Sequence, residues 1–273
     1  MLAIFDRIKL ILQHYELILK LASKEIKVRY KHPILGFLWA LFVPLCIIFI
    51  FKVVFSLILK ISIRDYPFFI FLTTAVFPWN FFSLSVSNSV MCIQENNSLI
   101  KKLYFPREVI PLSIILANLV NFILSFVLML PLFYLFGLRF NTYILFLPLI
   151  IILEFIFTVG ISFIFCSLQV YFRDVKYIVE ILLLLWFYLT PIFYPLDLIL
   201  NISNSFFKFY MLNPLTEIIT LYRISLLEGY IYSLPEGLNL NFMVFTSIVI
   251  SLIVFFFGLY SFKKLELRFA DLV

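Results

Sequence analysis

The sequence predicts an all-α membrane protein, and three observations point to it. Hydrophobic residues fill 64% of the 273 positions and charged residues only 13%, against roughly 45–50% and about 25% in soluble domains. The apolar residues are gathered into runs of 18 or more, each able to cross a hydrocarbon core about 30 Å thick. The chain is too small to bury so much apolar surface behind a polar skin, so lipid is its solvent. A soluble enzyme is excluded.

Six runs qualify as spans: residues 34–57, 67–90, 109–136, 143–170, 178–196 and 243–262. Pro44, Pro78, Pro131 and Pro191 fall inside them and predict local kinks whose backbone groups are re-satisfied by neighbouring helices. A seventh apolar run, 206–227, carries Lys208, Glu217 and Arg223. A central charge costs about 2.5–3.5 kcal/mol on insertion, so this run is not read as a span. Six spans place both termini on one side. Fifteen of the 21 lysines and arginines then fall in segments 1–33, 91–108, 171–177 and 263–273, which makes that side cytoplasmic. Anionic headgroups account for the net charge of +6, and nucleic acid is not needed. No signal peptide precedes the first span, because residues 1–33 lack a cleavage-like end.

The connecting segments carry the remaining information. Residues 16–31, wound as a helix, gather Glu16, Lys20, Lys24, Lys27 and Lys31 on one stripe with apolar residues elsewhere. That is a basic amphipathic helix at the inner headgroup layer. Glu25 and Arg29 interrupt its apolar side in the order that favours an ion pair. Either they pin the helix to the bundle, or Arg29 meets an anionic lipid-linked substrate. In 91–108, Ser98 is placed to cap a short helix with Leu99, Ile100, Leu103 and Tyr104 on one face and Lys101 and Lys102 turned away. Pro106 stops it. Spacing leaves a docking element and a plain turn equally open. Arg173 and Asp174 lie in a second short charged turn, where Asp174 can start the next helix. Glu154 sits alone within the fourth span, which admits either a wet cavity or a protonated carboxyl. Asn213-Pro214 opens a helix of about 15 residues that Gly229 can stop. It is too short to cross, so it re-enters or lies on the outer face, and with Phe206 to Tyr210 it suggests a lid within the outer segment 197–242.

No phosphate-cradling G-x-x-x-x-G-K-[ST] run occurs, and two histidines supply no catalytic constellation. Cys46, Cys92 and Cys166 read as apolar packing residues rather than a metal or disulfide framework. No metal site is expected.

The run E-I-K-V-R-Y-K-x-x-x-L-G-x-x-W at 25–39 resembles the approach to the first span in type-2 ABC exporter permeases of the polysaccharide-export family. So do F-P-W-N-F-F at 77–82, E-N-N-S-L-I-K-K-L-Y-F-P-R-E-V-I-P at 95–111 and Y-F-R-D-V-K-Y at 171–177. T-P-I-F-Y-P at 190–195, L-N-P-L at 212–215 and F-K-K-L-E-L-R-F-A-D at 262–271 complete a match that runs in order through nearly the whole chain. The resemblance implies a homodimer of six-span chains in a bacterial inner membrane, with two copies of a separate ATPase that binds ATP and Mg. It implies that residues 95–106 form the coupling helix, that Arg173 and Asp174 make a second ATPase contact, and that 197–229 forms outer gate helices. The implied cargo is O-antigen, capsule or teichoic acid on a lipid carrier. Arg29 and Arg107 are then candidates for its anionic head, because guanidinium forks match phosphate oxygens. Trp39, Phe42, Phe77, Trp79, Phe82 and Tyr194 become candidate channel aromatics able to hold sugar faces. A type-2 permease for a drug, haem or small lipid is the alternative. A glycan polymerase or acyltransferase would need catalytic clusters that the loops lack.

Overall fold

The computed structural model describes residues 2–30, 38–58, 66–135, 142–234 and 239–269, and every regular element among them is helical. Helix α1 (Leu2–Gln13) and α2 (Tyr15–Tyr30) come first, joined at His14. Next are α3 (Leu38–Phe51), which runs on as a π-type helix over Lys52–Ile58, and α4 (Phe68–Val90). Two short helices, α5 (Cys92–Glu95) and α6 (Asn97–Lys102), lead to α7 (Val109–Leu135). A 3-10 turn, Thr142–Phe146, opens α8 (Leu147–Tyr171), and α9 (Val175–Leu189) follows. The chain ends with α10 (Asp197–Leu200), α11 (Asn204–Tyr210), α12 (Pro214–Leu226) and α13 (Leu240–Leu265).

Four stretches are long and apolar enough to cross a membrane: Phe68–Val90, Val109–Pro131, Thr142–Tyr171 and Leu240–Leu265. They coincide within a few residues with the second, third, fourth and sixth expected spans. Residues 34–37 of the first expected span lie outside the described residues. The fifth departs from expectation, since α9 has 15 residues and ends at Leu189. Pro191 kinks no helix. Proline disfavours helical backbone in the residue before it, and Thr190 is accordingly extended at φ −107°, ψ 139°.

Helix α4 lies at the centre, packed on α3, α7, α8, α9 and α12. Its hydroxyls bond back to its own carbonyls: Thr73 to Phe69 O at 2.7 Å, Thr74 to Phe71 O at 2.8 Å and Ser89 to Ser85 O at 2.6 Å. This satisfies the donors without a partner from another helix. Helix α13 crosses α8 so closely that a Cβ on Gly258 would stand 2.3 Å from Gly160 O. Only two glycines permit that approach.

The run rejected as a span splits into most of α11, with Phe206 and Phe209 exposed, and α12, which is buried throughout. Every residue of α12, Glu217 and Arg223 included, is shielded by α4, α8, α13 and the chain around it. The Asn213 side chain accepts from Leu215 N, Pro214 takes the first position, and Gly229 supplies a left-handed turn at φ 79° soon after. The insertion cost of its charges is avoided because protein, not lipid, surrounds them.

Long-range bonds sort the connections onto two ends of the bundle. At one end, Gln94 Nε2 donates to Gln169 O at 3.3 Å and Tyr171 Oη to Leu265 O at 2.9 Å. The α4–α7 connection and the ends of α8 and α13 therefore meet. At the other end, Tyr66 Oη donates to Glu228 O at 2.5 Å, and Trp186 Nε1 to Asn213 Oδ1 at 2.9 Å. This gathers the start of α4, the end of α9 and both ends of α12.

Candidate functional site

At the first end, α5 and α6 fold back beneath α8. Asn96, not Ser98, precedes α6, and no side chain caps that helix. The helix stops at Lys102, and Leu103 is already extended at φ −128°. Leu99, Ile100, Leu103 and Tyr104 therefore do not share one face. Ile100 turns into the core, Leu99 is half-buried, and Leu103 and Tyr104 stand exposed beside Lys101 and Lys102. The second turn emerges next to them with Phe172, Arg173 and Asp174 exposed. Asp174 starts α9 without a side-chain cap. That bond comes from Gln169, whose Oε1 accepts from Lys176 N at 2.7 Å while its Nε2 donates to Arg173 O at 3.1 Å. Cys92 and Cys166, both free thiols, pack with their Sγ atoms 3.3 Å apart between the two turns.

A charged clasp closes this end. Arg7 of α1 donates from Nε and Nη2 to the Glu108 carboxylate at 2.7 and 2.8 Å, and Nη2 also pairs with Glu266 after α13. Glu108 is fully buried. Burial pushes its carboxyl above the ordinary range, and the Arg7 hydrogen bonds pull it only partly back. Burial draws the Arg7 guanidinium down, but both carboxylates outweigh that and raise it. Arg107 of the same P-R-E run donates to Glu266 O at 2.7 Å and lies 5.8 Å over the Phe269 ring. This candidate headgroup residue is thus anchored to the tail of α13, with further N–H groups remaining. Arg7 was not singled out from sequence, where it counted only as one more cytoplasmic charge. Arg29 closes α2, and its side chain lies outside the described residues, as does that of Trp39.

The remaining candidate aromatics separate by burial. Phe77, Trp79 and Phe82 are inside the bundle. Trp79 meets Phe187 edge-on at 5.5 Å, and Phe82 meets Trp186 at 5.2 Å and Phe157 at 5.7 Å. These three rings pack α4 against α8 and α9. Phe42 is half-exposed on α3. Tyr194 is partly buried at the second end, donating to Tyr188 O at 2.9 Å and hydrogen-bonded to Tyr210.

Polar bonds hold α12 to three other parts of the chain. Glu154 of α8, fully buried, accepts from Tyr222 Oη at 2.6 Å rather than facing an open cavity. Thr246 of α13 donates to Glu217 at 2.5 Å, and Arg223 Nη2 donates to Ile192 O at 2.8 Å. Beside it, residues 194–211 form a small apolar cluster of their own around Leu196, Ile199, Phe207 and Tyr210, separate from the main core.

Comparison with known proteins gives this geometry its context. Residues 16–227 match the family model described as ABC-2 type transporter. An O-antigen export system permease protein of Klebsiella pneumoniae is 33% identical over 263 residues, 95% of either chain. A protein of the same name from Myxococcus xanthus is 32% identical over 87% of this chain and 89% of its own. A polysialic acid transport protein of Escherichia coli is 27% identical over 89% and 91%. A family match across most of the described bundle, with relatives aligned almost end to end, leads to one conclusion: the chain is a multi-pass membrane protein of the ABC-2 type transporter family.

Proposed function

We propose that the chain is the permease subunit of an ATP-driven exporter that carries a lipid-linked polysaccharide of the O-antigen type out of the cytoplasm. One observation carries the reading. Leu103, Tyr104 and Phe172 stand exposed among Lys101, Lys102, Arg173 and Asp174 at the end where three long helices and α1 converge. An exposed apolar cluster with a charged rim suits a protein partner, and a force applied there acts on several spans at once. That end is assigned to the cytoplasm by the positive-inside rule, with both termini on that side. The reading takes α3 with its π-type extension and α9 as the two further spans, and two copies of the chain around one pathway. The relatives' names support the cargo, and the absence of a phosphate-cradling loop in the sequence supports a separate ATPase.

The isolated permease is expected to hydrolyse no ATP and to co-purify with an ATPase subunit. Leu103→Asp should release that subunit while the permease still inserts, because a charge buried in the docking groove costs several kcal/mol. Leu103 is exposed in the free chain, so the fold itself should tolerate the change. A complex that survives Leu103→Asp intact excludes 95–106 as the coupling element.

Arg29 and Arg107 are proposed to meet the anionic head of the cargo at the inner headgroup layer. Arg29→Gln and Arg107→Gln should each lower export and substrate-stimulated ATP hydrolysis with assembly preserved. Lys20→Gln, on the water-facing stripe, should be nearly silent, since an exposed basic residue contributes only about 1 kcal/mol at an anionic surface. Equal effects of all three changes would refute the assignment.

A further inference from the structure

Arg223 is the least compensated charge in the described structure. It is fully buried on α12, and among the described residues no carboxylate reaches it in an ion pair. Nη2 donates to Ile192 O, and the guanidinium carbon lies 3.6 Å from the centroid of the Phe71 ring. Nε and Nη1 have no acceptor in hydrogen-bonding geometry. A cation over an aromatic face recovers part of the desolvation loss, but a buried charge without its counterion remains unfavourable. Tyr230 packs against the same Phe71 ring at 6.4 Å, and Tyr194 and Tyr210 belong to the small cluster that follows Ile192. Tyr194 donates to Tyr188 O and therefore accepts from Tyr210 in their mutual bond.

The cover over this cation is a separate body. Residues 194–211 pack around their own small core, and the bond from Arg223 to Ile192 O joins the body to the strip that leads into it. Lifting the strip removes one carbonyl from the guanidinium, carries Tyr194 and Tyr210 away with the cap, and leaves a fork of N–H donors near Tyr230. A fork of that kind matches a phosphate or carboxylate better than it matches a lone carbonyl.

We infer that Arg223, with Tyr230 near it, is an oxyanion subsite that opens when the 191–212 cap lifts, taking Tyr194 and Tyr210 with it, and receives an anionic group of the exported molecule at the outer end of its path. The inference rests on the exporter reading. The oxyanion is either the diphosphate of a lipid head or the carboxylate of an acidic sugar.

The test uses the permease–ATPase complex in vesicles, in a background lacking the native cysteines. Ile192 is fully buried, so an Ile192→Cys thiol reports opening of the cap through its labelling by a membrane-impermeant maleimide. Labelling should be slow at rest and faster during ATP turnover. Inorganic pyrophosphate should accelerate it further if the lipid head is the source, and glucuronate should do so if the sugar is, because a ligand of the open state shifts the population towards it. Arg223→Met in the same chain should abolish the anion effect and reduce export by roughly tenfold or more. Its thermal stability should equal or exceed that of the parent, since an apolar side chain replaces an uncompensated charge. Arg223→Lys should be intermediate in export. No labelling during turnover, with export intact, would show that the outer segment does not open over this residue. Labelling indifferent to both anions, with Arg223→Met exporting normally, would overturn the subsite and leave the exporter reading standing. A destabilised Arg223→Met would overturn it too, by making the guanidinium a packing residue.

Discussion

Gly258→Ala and Gly160→Ala are each expected to destabilise the bundle by about 2–3 kcal/mol, the upper part of the range for forcing extra carbon into a packed interior. A Cβ at Gly160 would stand 2.7 Å from Phe255 Cα, Phe255 N and the Val254 carbonyl carbon. One at Gly258 would stand 2.3 Å from Gly160 O. All of these are backbone atoms, so no side chain can swing aside, and α8 and α13, the most extensively packed pair of helices among the described residues, must separate. Buried Ser247 and Ser251 continue the same small-residue side of α13, which lets the two backbones approach without a bulky ridge. Unfolding in detergent and the amount of chain in the membrane both read the effect. The double variant should cost less than the sum, because both changes open one crossing. Gly229→Ala is the internal comparison. Its φ of 79° is strained for alanine, but the space is open, the nearest atom being Tyr66 Oη at 3.8 Å. A loss of about 1 kcal/mol is expected there. A Gly258→Ala chain as stable as the parent would mean that α8 and α13 do not cross as described.

That crossing was not legible beforehand. The apolar runs specify α4, α7, α8 and α13 because lipid demands length and composition, and both are local properties. Which faces touch is not local, and Gly160 and Gly258 lie 98 positions apart. The same limit governs α12. Glu217 and Arg223 look prohibitive in an apolar run, and only Thr246, Ile192 and Phe71, drawn from three other segments, make them tolerable. Asn213-Pro214 and Gly229 were readable, since capping and left-handed turns depend on neighbours in sequence. Pro191 was misread because a helix was extended through it, although the restriction on Thr190 is local and could have been applied. A short helix between α4 and α7 was readable as an element, but it ends one residue before Leu103, and the face expected from that residue and Tyr104 is not formed. The aromatics Phe77, Trp79 and Phe82 were chosen for their chemistry, and their burial within the bundle depends on contacts with α8 and α9 that no local pattern shows.

Arg7→Met should remove about 3 kcal/mol or more at neutral pH, the usual consequence of stripping one partner from a buried ion pair. Glu108 is fully buried but Arg7 is only partly so, with 18% of its side chain exposed, so solvent screens the pair in part and the loss lies at the low end for a buried pair. Arg7→Lys should recover only part of the loss, because an ammonium cannot fork across both carboxylate oxygens as the guanidinium does. Glu108→Gln should cost less than Arg7→Met, since it removes the buried charge together with its partner's bond. The pH dependence separates these cases. Burial and the neighbouring Glu266 raise Glu108 while the Arg7 bonds lower it. Without Arg7, burial, the largest influence, and Glu266 outweigh the small lowering by a backbone hydrogen bond, so the folded carboxyl holds its proton more tightly than the unfolded one. A group raised in this sense contributes stability that is full below its unfolded value and is lost as pH rises through its folded value. The Arg7→Met chain should therefore regain stability when pH is lowered from neutral into the weakly acidic range, and the parent should change less. Adding Glu108→Gln to Arg7→Met should flatten the profile. Melting temperatures of the three chains at two pH values decide the matter. A parallel set of curves would mean that α1 is not clasped to α7 through a buried carboxylate. If the clasp holds, α1 is fastened to the start of α7 and, through Glu266 and Arg107, to the end of α13. A movement imposed on the α5–α6 connection would then reach the first and last helices of the chain through the P-R-E residues that follow it.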